Sequence, residues 1–136
     1  MSLPLVCLNG EFVPVSAARV PVTDRAFLYG DGLFETLRVY QGLPFLWPWH
    51  LERLRQGARV LGLPDPAGQP LLGWVEELLE RNRLTEAVVR LQISRGSGPR
   101  GYSPVGAGPV LWLVTAQPVP ALTPHPAPGI TLRTST

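Results

Sequence analysis

The chain has 136 residues, 45% of them hydrophobic, enough for one buried core and too few for two domains of ordinary size. Its formal charge is +2, and all 12 basic residues are arginines interleaved with 10 acidic ones, so there is no basic run and nucleic-acid binding is not expected. No apolar run reaches the length of a membrane helix, and Met1-Ser2-Leu3-Pro4 lacks the basic start and apolar stretch of a secretory signal, so a cytoplasmic protein without membrane association is expected.

Leu5 to Leu8, Asn9-Gly10 and Glu11 to Val15 read as a β-hairpin, because Asn-Gly supplies the two positive-φ positions of a type I′ turn. Cys7 lies in the first of these strands, where a buried, inert thiol is expected. Thr23 or Asp24 can cap a short helical turn over Arg25 to Tyr29. Gly30-Asp31-Gly32 then interrupts, Leu33 to Tyr40 has strand character, and Gln41-Gly42 turns the chain into Leu43 to Leu46. From Trp49 to Leu61, Leu51, Leu54, Ala58 and Leu61 recur at helical spacing, with Gly62 placed to end the helix. A second helix is expected over Pro70 to Arg83, with Leu71, Leu72, Val75, Leu78 and Leu79 inward. Strands follow at Ala87 to Ser94, Val110 to Ala116 and Ile130 to Thr134, the last after a proline-rich stretch. Strands outnumber helices and are joined mostly by turns, which predicts an α+β fold: an antiparallel sheet with two helices packed on it.

Arg53 falls off the apolar stripe of the first long helix, on a flank shared with Gly57, whose missing side chain permits close approach by another group. Taken alone it reads as a solvated arginine paired with Glu52 or a neighbour. The loop Arg95 to Ser103 holds three glycines and two arginines, a composition that exposes backbone N–H groups and can aim a guanidinium at an anion. A nucleotide P-loop is excluded because the chain has no lysine, and Gly30-Asp31-Gly32 lacks the third glycine of a dinucleotide fingerprint. His50 and His125 have no companion ligands at metal spacing, and His50 reads as a helix-start residue that hydrogen-bonds locally. Glu76, Glu77 and Glu80 form the exposed side of the second helix, paired with Arg81 or Arg83.

Taken in order, Asn9-Gly10, Asp24-Arg25 through Tyr40, His50 to Leu54 and Arg95 to Tyr102 resemble the class IV aminotransferase family of pyridoxal-phosphate enzymes. That family includes branched-chain aminotransferases, D-amino acid aminotransferases and 4-amino-4-deoxychorismate lyase. The resemblance covers nearly the whole chain and implies the small N-terminal domain of a fold-type IV enzyme over residues 1–136. It implies pyridoxal 5′-phosphate as cofactor, with its phosphate on Arg53, the arginine of the H-x-x-R-L pattern. It also implies that Phe34 lines the substrate pocket, that Tyr29 reaches toward a partner subunit's site, and that Arg100 and Tyr102 meet a substrate carboxylate. The loop role implies a homodimer with shared active sites.

R-G-S-G-P-R-G-Y-S-P is most similar to the lyases, and Thr36 stands where they carry a threonine that can assist proton transfer. Glu35 departs from some lyases, and F-E-T-L-R is found in other branches too, so branched-chain and D-amino acid aminotransferases stay open. With no lysine, the chain cannot itself anchor the cofactor as a Schiff base and is expected to be inactive alone. The resemblance places that lysine in a second domain beyond Thr136, absent from this chain. The rival expectation, from another class, is a stand-alone, non-catalytic binding module.

Overall fold

The computed structural model describes residues 4–120 and 131–134. Strands β1 (Leu5–Leu8) and β2 (Glu11–Pro14) form the expected hairpin, with Asn9 at φ 53° and Gly10 at φ 86°. Asn9 does more than turn: its Oδ1 accepts the Trp112 N–H at 2.8 Å and its own N–H donates to the Trp112 carbonyl at 2.8 Å, which fastens the hairpin to a distant strand. Helix α1 (Arg25–Tyr29) is capped by Asp24, whose Oδ1 accepts the N–H groups of Ala26 and Phe27. Strand β3 (Gly32–Tyr40) is followed by the two-residue β4 (Leu43–Pro44) and by α2 (Trp47–Leu61). After one 3-10 turn over Pro66–Gly68 come α3 (Leu71–Arg81), β5 (Ala87–Ser94) and β6 (Leu111–Pro118).

The strands form one sheet in the order β2-β1-β6-β5-β3-β4, every neighbour antiparallel. Helix α2 packs across β3, and α3 across β1 and β6. Alternation assigns the faces: Leu37 and Val39, Val89 and Leu91, and Val114 point toward the helices and are buried. Around Val75, Leu78 and Leu79 of α3 they form one cluster with Cys7; Leu54, Ala58, Leu63, Leu71, Ile93 and Trp112 form a second, and Trp47 and Trp74 pack against both. Each such Leu or Val contributes roughly 1.5–3 kcal/mol by leaving water.

The predicted α+β layer is present, with local corrections. Helix α2 begins two residues earlier than expected, at Trp47, because Pro48 occupies the first turn, where its missing N–H costs nothing. Leu61 and Leu72, both expected inward, are exposed; each lies in a terminal turn of its helix, Leu61 as the last residue of α2 and Leu72 as the second of α3. Residues 131–134 form no strand, while Ile130 and His125 lie outside the described residues.

Candidate functional site

Strand β4 pairs with β3 only at Val39 and Tyr40, so the edge of β3 from Leu33 to Leu37 faces no other strand among the described residues. Both faces of the sheet are reached from this edge. Phe34 and Thr36 point to the face opposite α2 and α3, while Glu35 points inward under α2 and is only 4% exposed. A carboxylate in that position needs partners, and α2 supplies them one turn apart. Arg53 donates to it through Nε (2.7 Å to Oε1) and Nη2 (2.6 Å to Oε2), and Nδ1 of His50 lies 2.7 Å from Oε2.

Burial pushes the Glu35 carboxyl up, but the hydrogen bonds from Arg53 and then His50 outweigh it and hold the group below its ordinary value. Glu35 is therefore ionised at neutral pH and can only accept, so His50 Nδ1 carries the proton in this contact. The Arg53 side chain remains 70% exposed, and its Nη1 has no protein partner among the described residues. A guanidinium gripped along one edge by a buried carboxylate thus presents its other donors to a groove of about 420 Å³ lined by Phe34, Glu35, Thr36, Arg53 and Gly57. Gly57 does permit a close approach, by Leu33: a Cβ there would lie 3.1 Å from both Leu33 methyls.

A second groove of about 480 Å³ meets the first at Phe34 and runs over the open face of the sheet past Phe27, Arg90, Gln92 and Leu113. In it the Arg90 guanidinium lies 3.7 Å from the centre of the Phe34 ring, a cation–π contact across the β3–β5 pair.

Arg100 and Tyr102 stand elsewhere, on the loop between β5 and β6, and line neither groove. Tyr29 joins them: its hydroxyl accepts the Gly101 N–H at 3.2 Å, and its ring lies 5.5 Å from that of Tyr102. The base of the loop is fixed by Asp24, whose carboxylate accepts from the Ser94 hydroxyl, and by Ser94 Oγ, which accepts the Gly96 N–H. Asp31 accepts from both Arg25 Nε and Arg95 Nε at 2.8 Å. Burial would raise its pKa, but the two guanidiniums, Arg95 first, keep it below the usual aspartate value.

Of the residues singled out in the sequence, the structure brings Phe34, Thr36 and Arg53 together, and sets Tyr29 beside Tyr102. Sequence reasoning missed Glu35, and it assigned His50 to a local hydrogen bond, whereas the imidazole reaches a strand 15 residues earlier. Arg53 pairs with Glu35 and not with Glu52, which binds Arg55 instead. The available signal was strand alternation: Glu35 sits in register with Leu33, Leu37 and Val39, and a carboxylate in an inward row demands a cation. Arg90 carried no local signal at all.

The family model for "Amino-transferase class IV" matches residues 32–136. The chain belongs to the class IV amino-transferase family. Among relatives, this class IV chain is 37% identical over 118 residues to a putative branched-chain-amino-acid aminotransferase of Methanocaldococcus jannaschii, covering 86% of the chain and 41% of that protein. It is 35% identical to the D-alanine aminotransferase of Staphylococcus aureus (72% of the chain, 35% of that protein) and 36% identical to the aminodeoxychorismate lyase of Bacillus subtilis (72% and 34%). In fold it is similar to 4-amino-4-deoxychorismate lyase from Pseudomonas aeruginosa, with TM-score 0.70 and 38% identity over 88% of this chain and 42% of that one. It is also similar to the branched-chain amino acid aminotransferase of T.th. solved with pyridoxamine 5′-phosphate, with TM-score 0.79 and 29% identity over 88% and 41%. The chain thus spans about two fifths of the M. jannaschii relative and of these solved chains. Its sheet and helices match the N-terminal domain of fold-type IV aminotransferases.

Proposed function

We propose that this chain forms the phosphate-holding side of a pyridoxal-phosphate enzyme whose reaction is the lyase one, elimination of pyruvate from 4-amino-4-deoxychorismate to leave 4-aminobenzoate. The observation that carries the cofactor part is Arg53, fork-bonded to buried Glu35 with donors left over at an open groove. That donor set fits a phosphate dianion. The remainder of the cofactor's requirements is not met here, since no side chain of this sequence offers the amine that would hold it covalently. A lysine from outside this sequence completes the site, and the chain alone is inactive.

When bound, pyridoxal phosphate supplies an electron sink for the bond broken at the substrate's α-carbon. The residues of this chain do the rest of what is assigned to it. Arg53 holds the phosphate, Glu35 and His50 hold Arg53, Phe34 walls the groove, and the Thr36 hydroxyl, on the groove lining beside Arg53, hands a proton on. Arg100 and Tyr102, with Tyr29 behind them, receive a substrate carboxylate in the partner subunit's site of a homodimer. The lyase reading is supported by Thr36, by the loop sequence Arg95 to Pro104 and by the 38% identity to the P. aeruginosa lyase. Transamination of branched-chain or D-amino acids is the second reading, favoured by the 37% identity to the M. jannaschii relative and the 35% identity to the S. aureus one.

The test uses the natural protein that carries this sequence, purified from its own cells. Borohydride reduction is expected to leave a phosphopyridoxyl group on a lysine of a chain longer than 136 residues, and the enzyme to release pyruvate and 4-aminobenzoate. Keto-acid formation from branched-chain amino acids or D-alanine without pyruvate elimination selects the second reading. An unmodified chain of 14.8 kDa would mean a stand-alone binding module and would sink both.

A further inference from the structure

The loop between β5 and β6 is tied down in two places. Its base is held by backbone bonds: Arg25 N–H to the Gly96 carbonyl (2.9 Å) and Gly108 N–H to the Ser97 carbonyl (2.9 Å). The tip, Pro99 to Val105, has a different anchor. Among the described residues, every hydrogen bond from the tip to groups outside the loop ends on Arg25 or Tyr29. Arg25 donates through Nη1 to the Gly101 carbonyl (3.0 Å) and through Nη2 to the Tyr102 carbonyl (2.8 Å), while its Nε is held by Asp31. The residue is only 2% exposed. Its three occupied nitrogens face three acceptors in a forked arrangement, a pattern a guanidinium can match and an ammonium cannot. Tyr29, one turn on along α1, accepts the Gly101 N–H, so both backbone groups of Gly101 are clasped by the same short helix. The flanking side chains are left outside the clasp: Arg100 is exposed and Tyr102 is 87% exposed.

We propose that Arg25 is a positioning residue for substrate binding: by gripping the Gly101 and Tyr102 carbonyls it sets the direction in which Arg100 and Tyr102 leave the protein. The inference rests on the reading of those two residues as contacts for a substrate carboxylate. Asp31 orients Arg25, and Arg95 shares that carboxylate, so the grip on the loop tip is stiffened from the loop's own first residue. A misplaced contact group weakens substrate capture while leaving the cofactor's phosphate site on Arg53 untouched.

The experiment is a double-mutant cycle in the full-length holoenzyme with Arg25→Lys and Arg100→Ala. Arg25→Lys keeps a cation for Asp31 but loses the fork. KM is expected to rise on the order of tenfold, kcat to change less, and the bound-cofactor absorbance to stay as in the wild type. In the Arg100→Ala background the same substitution should add clearly less than its full factor, only the share that acts through Tyr102 remaining. Trypsin cleavage at Arg100–Gly101 of the native protein should also speed up several-fold in Arg25→Lys. If Arg25→Lys does not load cofactor, Asp31→Asn carries the same cycle at a smaller factor. An Arg100→Ala enzyme with unaltered KM overturns the substrate-contact reading and this inference together. A raised KM in Arg100→Ala, on which Arg25→Lys still adds its full factor, overturns the inference alone. So does a cleavage rate unchanged by Arg25→Lys.

Discussion

Glu35 is the residue on which the candidate site turns, because it is the only group that fixes both His50 and Arg53 among the described residues. Two effects of its charge compete. It partly neutralises Arg53, which weakens the pull on a phosphate, and it locks the guanidinium in one orientation, which strengthens it. A fork held at 2.6–2.7 Å favours the second, since an unanchored arginine would have to be ordered by the ligand. Glu35→Gln in the full-length enzyme is thus expected to weaken cofactor retention on the order of tenfold, read by titrating the apoenzyme with pyridoxal phosphate. Tighter binding would show that charge neutralisation dominates. The same carboxylate makes a pH prediction. Its folded pKa is depressed below the ordinary 4.5, so the stability it contributes is fully present above about pH 4.5 and is lost as the pH falls through the folded value. Urea unfolding between about pH 3 and pH 6 should show a shallower acid loss in Glu35→Gln than in the wild type.

At the scale of elements, strands and turns were the most legible part of the chain. Asn9-Gly10 carried its hairpin through the positive φ of both residues, and Ala87 to Ser94 was bounded correctly where the alternating apolar row Ala87, Val89, Leu91 and Ile93 meets a glycine-rich loop. The start of α2 was misread because a proline punctuates a sequence in the same way whether it breaks a helix or opens one. What could not be read was anything non-local: the Glu35 contacts span 15 and 18 residues, and the Arg25 contacts to the loop 76 and 77. Periodicity says which face a residue shares, not which partner waits there. The packing makes its own predictions. Leu78→Ala, in the cluster between α3 and the sheet, should cost about 2–5 kcal/mol in denaturant unfolding. Gly96→Ala should be harsher than its size suggests. Gly96 sits at φ 89°, and a Cβ there would collide with the Pro109 carbonyl, so the base of the loop must open; the loss is expected as a lower melting temperature.

For the whole molecule, the sheet is covered by α2 and α3 on one side and carries both grooves on the other side and at its β3 edge, so the candidate site residues lie where a further body of protein can meet them. Arg53 belongs to that edge and Arg100 to a loop that lines neither groove, which makes the shared-site reading testable by mixing inactive subunits. When full-length Arg53→Ala and Arg100→Ala proteins are unfolded together and refolded, half the dimers should be mixed and one of their two sites intact. About one quarter of wild-type activity should return. No recovery would mean that each subunit builds its site from its own Arg53 and Arg100. The opposite side of the sheet has a use of its own. Cys7, the chain's single cysteine, is fully buried against the helices, and burial pushes its thiol up, so it is shielded from reagents as long as the sheet and α3 stay together. It is a built-in clock for opening: the rate at which an alkylating probe reaches Cys7 under native conditions reports how often this layer comes apart, and hence how much a ligand slows that breathing.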